Sequence, residues 1–258
     1  MPVMVRRAFS LIELLVVMGI IGLLTAVLVA ALGASRERAR TLKCASNLRQ
    51  LAIALRTYEA DHGEFPYGYR LPVPGEGSTA YLGGGDGLPG WWWLNCITPY
   101  QSSELRGQSI LWCPSAKIVG TRYKNNVLRA NYGVNGSVCG RLPRYLPLGL
   151  AEIPEPGRTL LVMDSGYALV FWMQATDPPR SNVPFELDFP AYVPGLESNL
   201  MRPISEGCRY DAMHGRHTGK TLNVAYVDGH LKRVRAEELA VRLRDGAYTN
   251  RSPLWAPR

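Results

Sequence analysis

Four side chains suited to metal binding or acid–base chemistry lie near the C-terminal end of the chain. They are His214, His217, Asp228 and His230. Imidazole and carboxylate groups are ligands that zinc accepts. However, His214 and His217 fall in a loop, and a turn already accounts for Asp228. Calcium would need an acidic cluster near Asp228, which the sequence lacks. We therefore predict neither a metal site nor a cofactor.

Hydrolysis is the other reaction class that a histidine and an acid suggest. A serine hydrolase of this kind carries its nucleophile on a sharp turn between a strand and a helix, with the pattern G-x-S-x-G. The chain has no such pattern. We therefore predict no catalytic residues and a protein that is not an enzyme.

The cysteines could carry redox chemistry. They stand at positions 44, 96, 113, 139 and 208. Disulfides persist outside the cytoplasm. An odd number leaves at least one thiol unpaired or intermolecular, and pairing four of the five allows fifteen arrangements. Alternatively, several are small apolar side chains of the core. The sequence does not select among these possibilities.

A long apolar run lies near the N-terminus and determines where the residues on either side of it are held. The run from Leu14 to Ala34 has 21 residues and no charge. As a helix it would span roughly 31 Å, the thickness of a bilayer core. A cleaved signal peptide would have a shorter apolar region, of about 7–15 residues. We therefore predict a retained membrane anchor.

The charges support a membrane environment over a nucleic-acid partner. Lys and Arg number 29 against 21 Asp and Glu, a net charge of +8. Arg6 and Arg7 precede the apolar run and four more basic residues follow it, where they can hold lipid phosphates. Hydrophobic residues make up 47% and charged residues 19% of the chain, which excludes a disordered polyelectrolyte and a coiled-coil rod.

One acid stands at the edge of the apolar run. Glu13 interrupts the segment FSLIELLVV. A carboxylate in the bilayer core costs about 2.5–3.5 kcal/mol on insertion scales, so such a residue is a functional candidate. The alternative is a hydrated carboxylate at the membrane surface.

Residues 6–15, RRAFSLIELL, resemble the leader of type IV pilins and type II secretion pseudopilins. The resemblance implies that a prepilin peptidase cuts between Ala8 and Phe9 and methylates the new amine. Glu13 then becomes the fifth mature residue. The family usually has glycine before the cut, where this chain has Ala8.

The motif also has a physical explanation. Phe9 and Glu13 are four residues apart, so on a helix they share a face. An unpaired carboxylate in a medium of low dielectric is costly, so Glu13 would pair with the Phe9 amine of its own chain or of a neighbour. The resemblance implies the pairing between subunits, which would set their register in a fibre.

The helix is predicted to continue beyond the apolar run. An apolar stripe of an amphipathic helix follows steps of four and three residues: Cys44, Leu48, Leu51, Leu55, Tyr58 and His62. Gly63 and Pro66 mark the predicted end of the helix. The predicted organisation is a leader over 1–8, a transmembrane helix over 9–34, an amphipathic continuation over 35–64 and an extracytoplasmic head over 65–258.

Patterns in the head predict short strands and loops. The sequence predicts strands at 110–115, 158–163, 168–173, 221–227 and 230–234. It predicts a turn-rich segment at 131–136, a surface excursion at 177–203 and a short helix at 237–244. Trp91, Trp92 and Trp93 follow a glycine-rich loop. We expect them to pack as core, although a ligand platform is the alternative.

Residues 210–235 show a second resemblance, to the H-x9-DG domain at the C-terminal end of many prepilin-type proteins. His217, Asp228 and Gly229 carry it, although ten residues rather than nine separate His217 from Asp228. Segments 44–50, 112–115 and 158–165 agree with it. Asp228-Gly229 predicts a type I′ hairpin turn, which needs positive φ at both residues. We expect His217 to pack against this turn.

Together these observations predict an α+β, pilin-like fold, with a long N-terminal transmembrane and amphipathic helix packed on an antiparallel β-sheet head with long loops. The predicted function is that of a pseudopilin-like subunit of a pilus-like fibre, serving type II protein secretion. The expected partners are a prepilin peptidase, the chain itself, other pseudopilins, the inner-membrane assembly machinery and membrane lipid. The expected location is the bacterial inner membrane, with one span and a periplasmic head. The alternative is a membrane-anchored protein that binds a carbohydrate or surface ligand.

Overall fold

A computed structural model of the chain describes residues 10–71, 90–100, 108–119, 126–129, 131–141, 145–180 and 191–257. The chain divides into two units, residues 1–40 and residues 41–258. A long N-terminal helix is followed by a head rich in β-structure, as predicted.

Helix α1 runs from Leu11 to His62. It ends where predicted, because Gly63 adopts a positive φ of 79° and its N–H donates to the Glu59 carbonyl at 2.7 Å. The predicted stripe is buried at Cys44, Leu48, Leu51 and Leu55, whereas Tyr58 is half-buried and His62 is exposed. Periodicity alone therefore identified the face of α1 that packs in the head.

The remaining helices are short, and the strands are numbered in chain order. The helices are α2 (Trp93–Ile97), α3 (Gly136–Cys139) and α4 (Glu206–His214). The strands are β1 (Tyr69–Arg70), β2 (Trp91–Trp92), β3 (Tyr132–Asn135), β4 (Leu160–Asp164), β5 (Leu169–Val170), β6 (Thr176–Asp177), β7 (Thr221–Tyr226), β8 (Leu231–Arg235), β9 (Val241–Arg244) and β10 (Ala247–Tyr248).

The main sheet has five strands in the order β5-β3-β4-β7-β8. Its neighbours pair antiparallel except β3 and β5, which are parallel. Two smaller sheets have the orders β10-β9-β6 and β1-β2. The predicted strands at 158–163, 221–227 and 230–234 correspond to β4, β7 and β8, and the prediction at 168–173 shortens to β5.

The main sheet is covered on both faces. Leu48 and Leu55 of α1 share a buried cluster with Trp93 and Val162. A second cluster joins Leu222, Val224 and Tyr226 of β7 to the C-terminal segment, including Val241 and Trp255. The alternation along β7 places successive side chains on opposite faces, as expected for a strand.

Residues 110–115 do not form the predicted strand. Residues Gln108–Leu111 form a 3₁₀-helix, and a turn follows at 114–115. Side chains provide the hydrogen bonds that a partner strand would have supplied. Asn47 donates to the Trp112 carbonyl at 3.1 Å, and Asn131 accepts from the Cys113 N–H at 2.9 Å.

The predicted turn at 131–136 is instead mostly strand β3, between β4 and β5. Its asparagines cap buried backbone groups rather than making a turn. Asn135, for example, donates to the carbonyls of Leu160 and Trp255 at 2.9 and 3.0 Å. Gly133 is required because a Cβ there would collide with the Tyr167 carbonyl.

The predicted helix at 237–244 is also wrong. A 3₁₀-helix covers Ala236–Leu239, and β9 follows it. Asp245 and Gly246 both have positive φ, 51° and 76°, and join β9 to β10 in the manner of a type I′ turn. This Asp-Gly pair, which reads as a helix stop in the sequence, closes a hairpin.

The stretch 177–203 is not a surface excursion where the structure describes it. Residues 181–190 lie outside the described part of the chain. Beyond them, Tyr192, Val193, Leu196 and Asn199 are buried. Backbone pairing holds this segment in place, with the Gly166 N–H donating to the Tyr192 carbonyl at 2.9 Å.

Candidate functional site

The apolar part of α1 is long enough to cross a membrane. Its most apolar window has a mean hydropathy of 2.8, and none of that window is buried within the chain. Large apolar side chains from Leu11 to Leu32 are exposed, between 45% at Val17 and 78% at Leu11. Soluble monomers rarely expose a continuous apolar surface of this extent. This part of α1 is therefore compatible with a membrane anchor.

Glu13 lies in the first turn of α1. Its Oε2 accepts a hydrogen bond from the Ser10 N–H at 2.9 Å, and Ser10 Oγ accepts from the Ile12 N–H at 3.4 Å. A carboxylate is favourable here because unpaired N–H groups give the start of a helix a partial positive charge. Ala8 and Phe9, the predicted processing site, lie outside the described residues.

The Asp228-Gly229 hairpin joins β7 to β8, as predicted, but its turn type differs. Gly229 has a φ of 94°, whereas Asp228 is not in the positive-φ region. The Gly229 N–H donates to the Tyr226 carbonyl at 2.9 Å, and the Tyr226 N–H donates to the His230 carbonyl at 3.0 Å. These bonds describe a three-residue loop with a glycine bulge rather than a type I′ turn.

Asp228 stabilises this loop from within. Its Oδ1 accepts from the His230 N–H at 3.0 Å and lies 2.7 Å from His230 Nδ1. Partial burial raises the pKa of Asp228, but the bonds with His230 outweigh it and hold that pKa below its usual range. Arg56 Nη1 of α1 donates to the Asp228 carbonyl. The Asp-Gly loop therefore docks the hairpin on the long helix.

His217 does not pack against this loop. It precedes β7 and bridges Thr221, whereas Asp228 follows β7, so the whole strand separates them. Of the four candidate metal ligands, Asp228 and His230 meet in the Asp-Gly loop, but His214 and His217 do not join them. His214 contacts the Tyr210 ring, with centroids 4.3 Å apart, and His230 stacks on Tyr226.

His217 instead belongs to a buried cluster that the sequence did not predict. The cluster joins Cys44 of α1, Cys113 of the loop after Gln108–Leu111, Asp164 at the end of β4, and His217. One polar or sulfur atom from each residue lies within 4.8 Å of the others. None of the four side chains exceeds 5% exposure. Asp164 lies in segment 158–165, which agrees with the H-x9-DG resemblance, but the sequence did not predict its contact with His217.

A hydrogen-bond network holds the His217 ring. Its Nε2 lies 3.0 Å from Asp164 Oδ2, and its Nδ1 lies 3.1 Å from Thr41 Oγ1. Asn223 donates its backbone N–H to the same Asp164 oxygen at 2.7 Å. Burial lowers the pKa of His217, but Asp164 and Cys44 outweigh it and raise that pKa to about 9. The contact with Asp164 therefore favours the protonated form of the His217 ring.

The two thiols of the cluster differ in acidity. A hydrogen bond from Cys113 is the largest influence on Cys44. Together with His217 it overcomes burial and lowers the pKa of Cys44 to about 5. Burial raises the pKa of Cys113 well above its usual value. When both cysteines are reduced, Cys44 is therefore the more acidic thiol of the pair and Cys113 the less acidic one.

Thiolate, imidazole and carboxylate also make up nucleophilic active sites. Here Cys44, His217 and Asp164 are all at most 1% exposed. A substrate cannot reach them while the head is folded. The arrangement is that of a buried structural cluster.

The predicted tryptophan core is confirmed in part. Trp92 and Trp93 are buried, at 1% and 0% exposure, and Trp93 Nε1 donates to the Ala168 carbonyl at 2.8 Å. Trp91 is half-buried. The two buried rings are core residues rather than a ligand platform.

Two family models match parts of the chain. Residues 4–29 match the model described as "Prokaryotic N-terminal methylation motif". Residues 33–104 match the model described as "Protein of unknown function (DUF1559)". No curated protein and no solved structure matches the chain. Together with the long helix and the β-rich head, these matches are consistent with a type IV pilin-like protein.

Proposed function

We propose that this pilin-like chain is a pseudopilin-like structural subunit. A prepilin peptidase cuts it between Ala8 and Phe9 and methylates the new amine, and the mature chain polymerises into a short fibre for type II secretion. The proposal rests on one observation: the apolar part of α1 is exposed, Glu13 interrupts it, and it overlaps the match to the methylation motif.

The exposed apolar surface of α1 needs a cover. Burying apolar surface stabilises by about 25 cal/mol per Å², and the side chains from Leu11 to Leu32 are largely uncovered by their own chain. Lipid covers them before assembly, and the helices of neighbouring subunits cover them in the fibre. One helix thus serves as membrane anchor and as polymerisation surface.

Glu13 supplies the specificity that apolar contact lacks. Apolar side chains pack in many registers, whereas a charge pair has one favoured position. The methylated Phe9 amine of a neighbouring subunit neutralises Glu13 in a medium where an unpaired carboxylate is costly. Adding a subunit in register therefore removes an energetic penalty.

The proposed location follows from the same helix. The chain crosses the bacterial inner membrane once, with its head in the periplasm. The basic residues Arg36, Arg38, Arg40 and Lys43 follow the apolar run and meet lipid phosphates. Other pseudopilins and the inner-membrane assembly machinery complete the partners.

The N-terminal peptide of membrane-extracted protein tests the proposal. Mass spectrometry should find a chain that starts at N-methylated Phe9. Cells with an inactive prepilin peptidase are the control and should retain Met1. An intact Met1 start beside an active peptidase would exclude the pseudopilin function.

A cleft in the head supports a second candidate, the binding of a carbohydrate or surface ligand. Its volume is about 460 Å³, and Tyr145, Phe171, Trp172 and Arg251 line it. Aromatic faces and a guanidinium are suited to sugar rings and their substituents. Under this candidate, Trp172→Ala abolishes binding to a glycan array and Trp91→Ala does not.

A further inference from the structure

Two cysteines that are distant in sequence meet inside the head. Cys44 Sγ and Cys113 Sγ are 2.7 Å apart, although 69 positions separate them. Both side chains are buried, at 0% and 5% exposure. Non-bonded carbon atoms have their best contact at roughly 3.5–4.0 Å, and sulfur is larger than carbon. Two separate thiols would therefore not rest this close.

The surrounding residues hold the two cysteines together independently of any bond between them. Asn47, one turn along α1 from Cys44, donates to the carbonyl of Trp112 at 3.1 Å. Asn131 fixes the other side of the loop by accepting from the Cys113 N–H at 2.9 Å. The Cys113 loop is thus anchored beside α1, and the two sulfurs face each other as a consequence.

We propose that Cys44 and Cys113 form a disulfide that covalently joins α1 to the head. The proposal rests on the proposed function, because a periplasmic head is exposed to oxidising conditions. It selects one bond from the many pairings that five cysteines allow.

A metal ion is the alternative occupant of this cluster, because two thiols, an imidazole and a carboxylate can bind zinc. Asp164 Oδ1 has no hydrogen-bond partner among the described residues, which favours a cation. The distances favour the disulfide. Zinc–sulfur bonds of about 2.3 Å in a tetrahedral site place the sulfurs roughly 3.8 Å apart. At 2.7 Å the sulfurs leave no room for the ion.

The oxidation can be written with its atoms balanced. The Cys44 thiolate attacks the disulfide of a periplasmic thiol oxidoreductase, forms a mixed disulfide and releases one thiolate of that enzyme. Cys113 loses its proton and attacks the Cys44 sulfur, releasing the second enzyme thiolate. Two electrons pass to the oxidoreductase, which ends as a dithiol. Because both cysteines are buried in the folded head, the exchange occurs before the Cys113 loop closes on α1.

Peptide mapping of the full chain, extracted from membranes in detergent, tests the bond. Thiols are blocked with N-ethylmaleimide during unfolding, and the protein is then cut with trypsin. The sequence predicts tryptic peptides 44–49 and 107–117. We expect these two peptides linked to each other and separated by a reducing agent. Recovery of both with alkylated cysteines would overturn the proposal, and one zinc per chain with both thiols reactive after chelation would assign the cluster to a metal.

The same digest separates this proposal from the proposed function. A mature Phe9 start together with alkylated Cys44 and Cys113 would exclude the disulfide and support the fibre-subunit function. Linked peptides in a chain that keeps Met1 would support the disulfide and exclude the fibre-subunit function. When reduced, unfolded protein is refolded in the presence of oxidised glutathione, the same linked pair should form. Other linked pairs in place of this one would overturn it.

Stability provides the matched comparison. Cys44→Ser and Cys113→Ser should each lower the Tm by roughly 10 °C, and the double variant no further, since one cross-link is lost in each case. Reductant should lower the Tm of the wild type by a similar amount and leave the double variant unchanged. Cys208→Ser, at an equally buried cysteine, should keep its response to reductant. Equal response to reductant in wild type and double variant would show that no such bond exists.

Discussion

Glu13 changes its partner during the proposed life of the subunit. It is the only charged residue between Phe9 and Arg36 in the sequence. Before cleavage its carboxylate caps the start of α1 through the Ser10 N–H. Cleavage would create an amine at Phe9, four residues before it, which is a stronger partner than a neutral amide.

Glu13→Ala should therefore leave membrane insertion intact or improve it, because a costly charge leaves the apolar run. It should strongly reduce fibre formation, because the Phe9 amine loses its partner. Glu37→Ala is the matched control, since Glu37 lies on the same helix beyond the apolar run and contacts Arg40 at 3.9 Å. Crosslinking in cells measures the oligomers. Equal oligomer yields from both variants would exclude the charge-pair role.

The redox state of Cys44 should set the pH dependence of stability. In the reduced head, folding raises the pKa of His217 from 6.5 to about 9. That contribution is complete below pH 6.5 and is lost as the pH rises through 9. Folding lowers the pKa of Cys44 from 9.0 to about 5, so its contribution is complete above pH 9 and is lost as the pH falls through 5.

Between pH 6.5 and 9 these two contributions oppose each other, because folding in effect moves a proton from Cys44 to His217. We expect the free energy of unfolding of the reduced head to be nearly flat there and to fall toward pH 5. The oxidised head lacks the thiolate, so its stability should decline from pH 6.5 upward. Urea unfolding at several pH values measures both curves. A decline that persists in oxidised His217→Gln would assign it to another group.

At the scale of the elements, the β7–β8 hairpin depends on one backbone conformation. Gly229 has a φ of 94°, which β-branched residues adopt only under strain. A Cβ there would lie 3.2 Å from Arg56 Nη1, the flexible end of a side chain, so backbone strain dominates over collision.

Gly229→Val should therefore cost about 1–3 kcal/mol of the free energy of unfolding of a 35–258 fragment. Gly229→Asn is the control, because asparagine tolerates positive φ, and it should cost less. Urea denaturation gives both values. Equal losses of unfolding free energy in the two variants would show that the added side chain, and not backbone strain, destabilises this turn.

Sequence patterns predicted the elements that are stabilised locally. The period of α1 and the alternation of β7 are each contained in a single segment, and Gly63 ends the helix by its own conformation. The strand at 132–135 is not predicted because Asn131 before it and Asn135 at its end are turn formers by type, and only distant carbonyls turn Asn135 into a strand residue. Local propensity is a weak guide where tertiary contacts satisfy the backbone.

The buried cluster was beyond sequence patterns for a related reason. Cys44, Cys113 and Asp164 lie in three of the segments that agree with the H-x9-DG resemblance, but nothing in the sequence indicates that these segments meet in the fold. The resemblance to the H-x9-DG domain did single out His217, but it suggested a turn contact in place of the partner that the fold provides. His217 contacts Asp164 because strand β4, which ends at Asp164, pairs with β7, which His217 precedes.

At the scale of the whole chain, α1 passes through two environments. Its side chains from Leu11 to Leu32 are apolar and exposed, and its stripe from Cys44 to Leu55 is apolar and buried. The basic residues between them mark the change. The proposed disulfide would lie at the first position of the buried stripe.

Arg216 is a fully buried cation that joins several segments of the head. Arg216 donates to both carboxylate oxygens of Asp211 at 3.0 and 2.8 Å, and to the carbonyls of Asn131 and Ser165 at 3.0 Å each. Both side chains of the ion pair have 0% exposure. Asp211 also accepts from the Tyr192 hydroxyl at 3.0 Å. Segments far apart in sequence thus share one network.

Arg216→Met should destabilise the head by about 3–5 kcal/mol, because it leaves Asp211 buried and without its cation. That loss is comparable to the total stability of many domains, so near-UV circular dichroism of the 35–258 fragment should show lost packing. Arg216→Lys should rescue little, since an ammonium cannot reproduce the planar fork that reaches a carboxylate and two carbonyls. Arg209→Met, at an exposed arginine of the same region, should change stability by less than about 0.5 kcal/mol. A head that tolerates Arg216→Met as well as Arg209→Met would show that packing alone, without this network, holds these segments together.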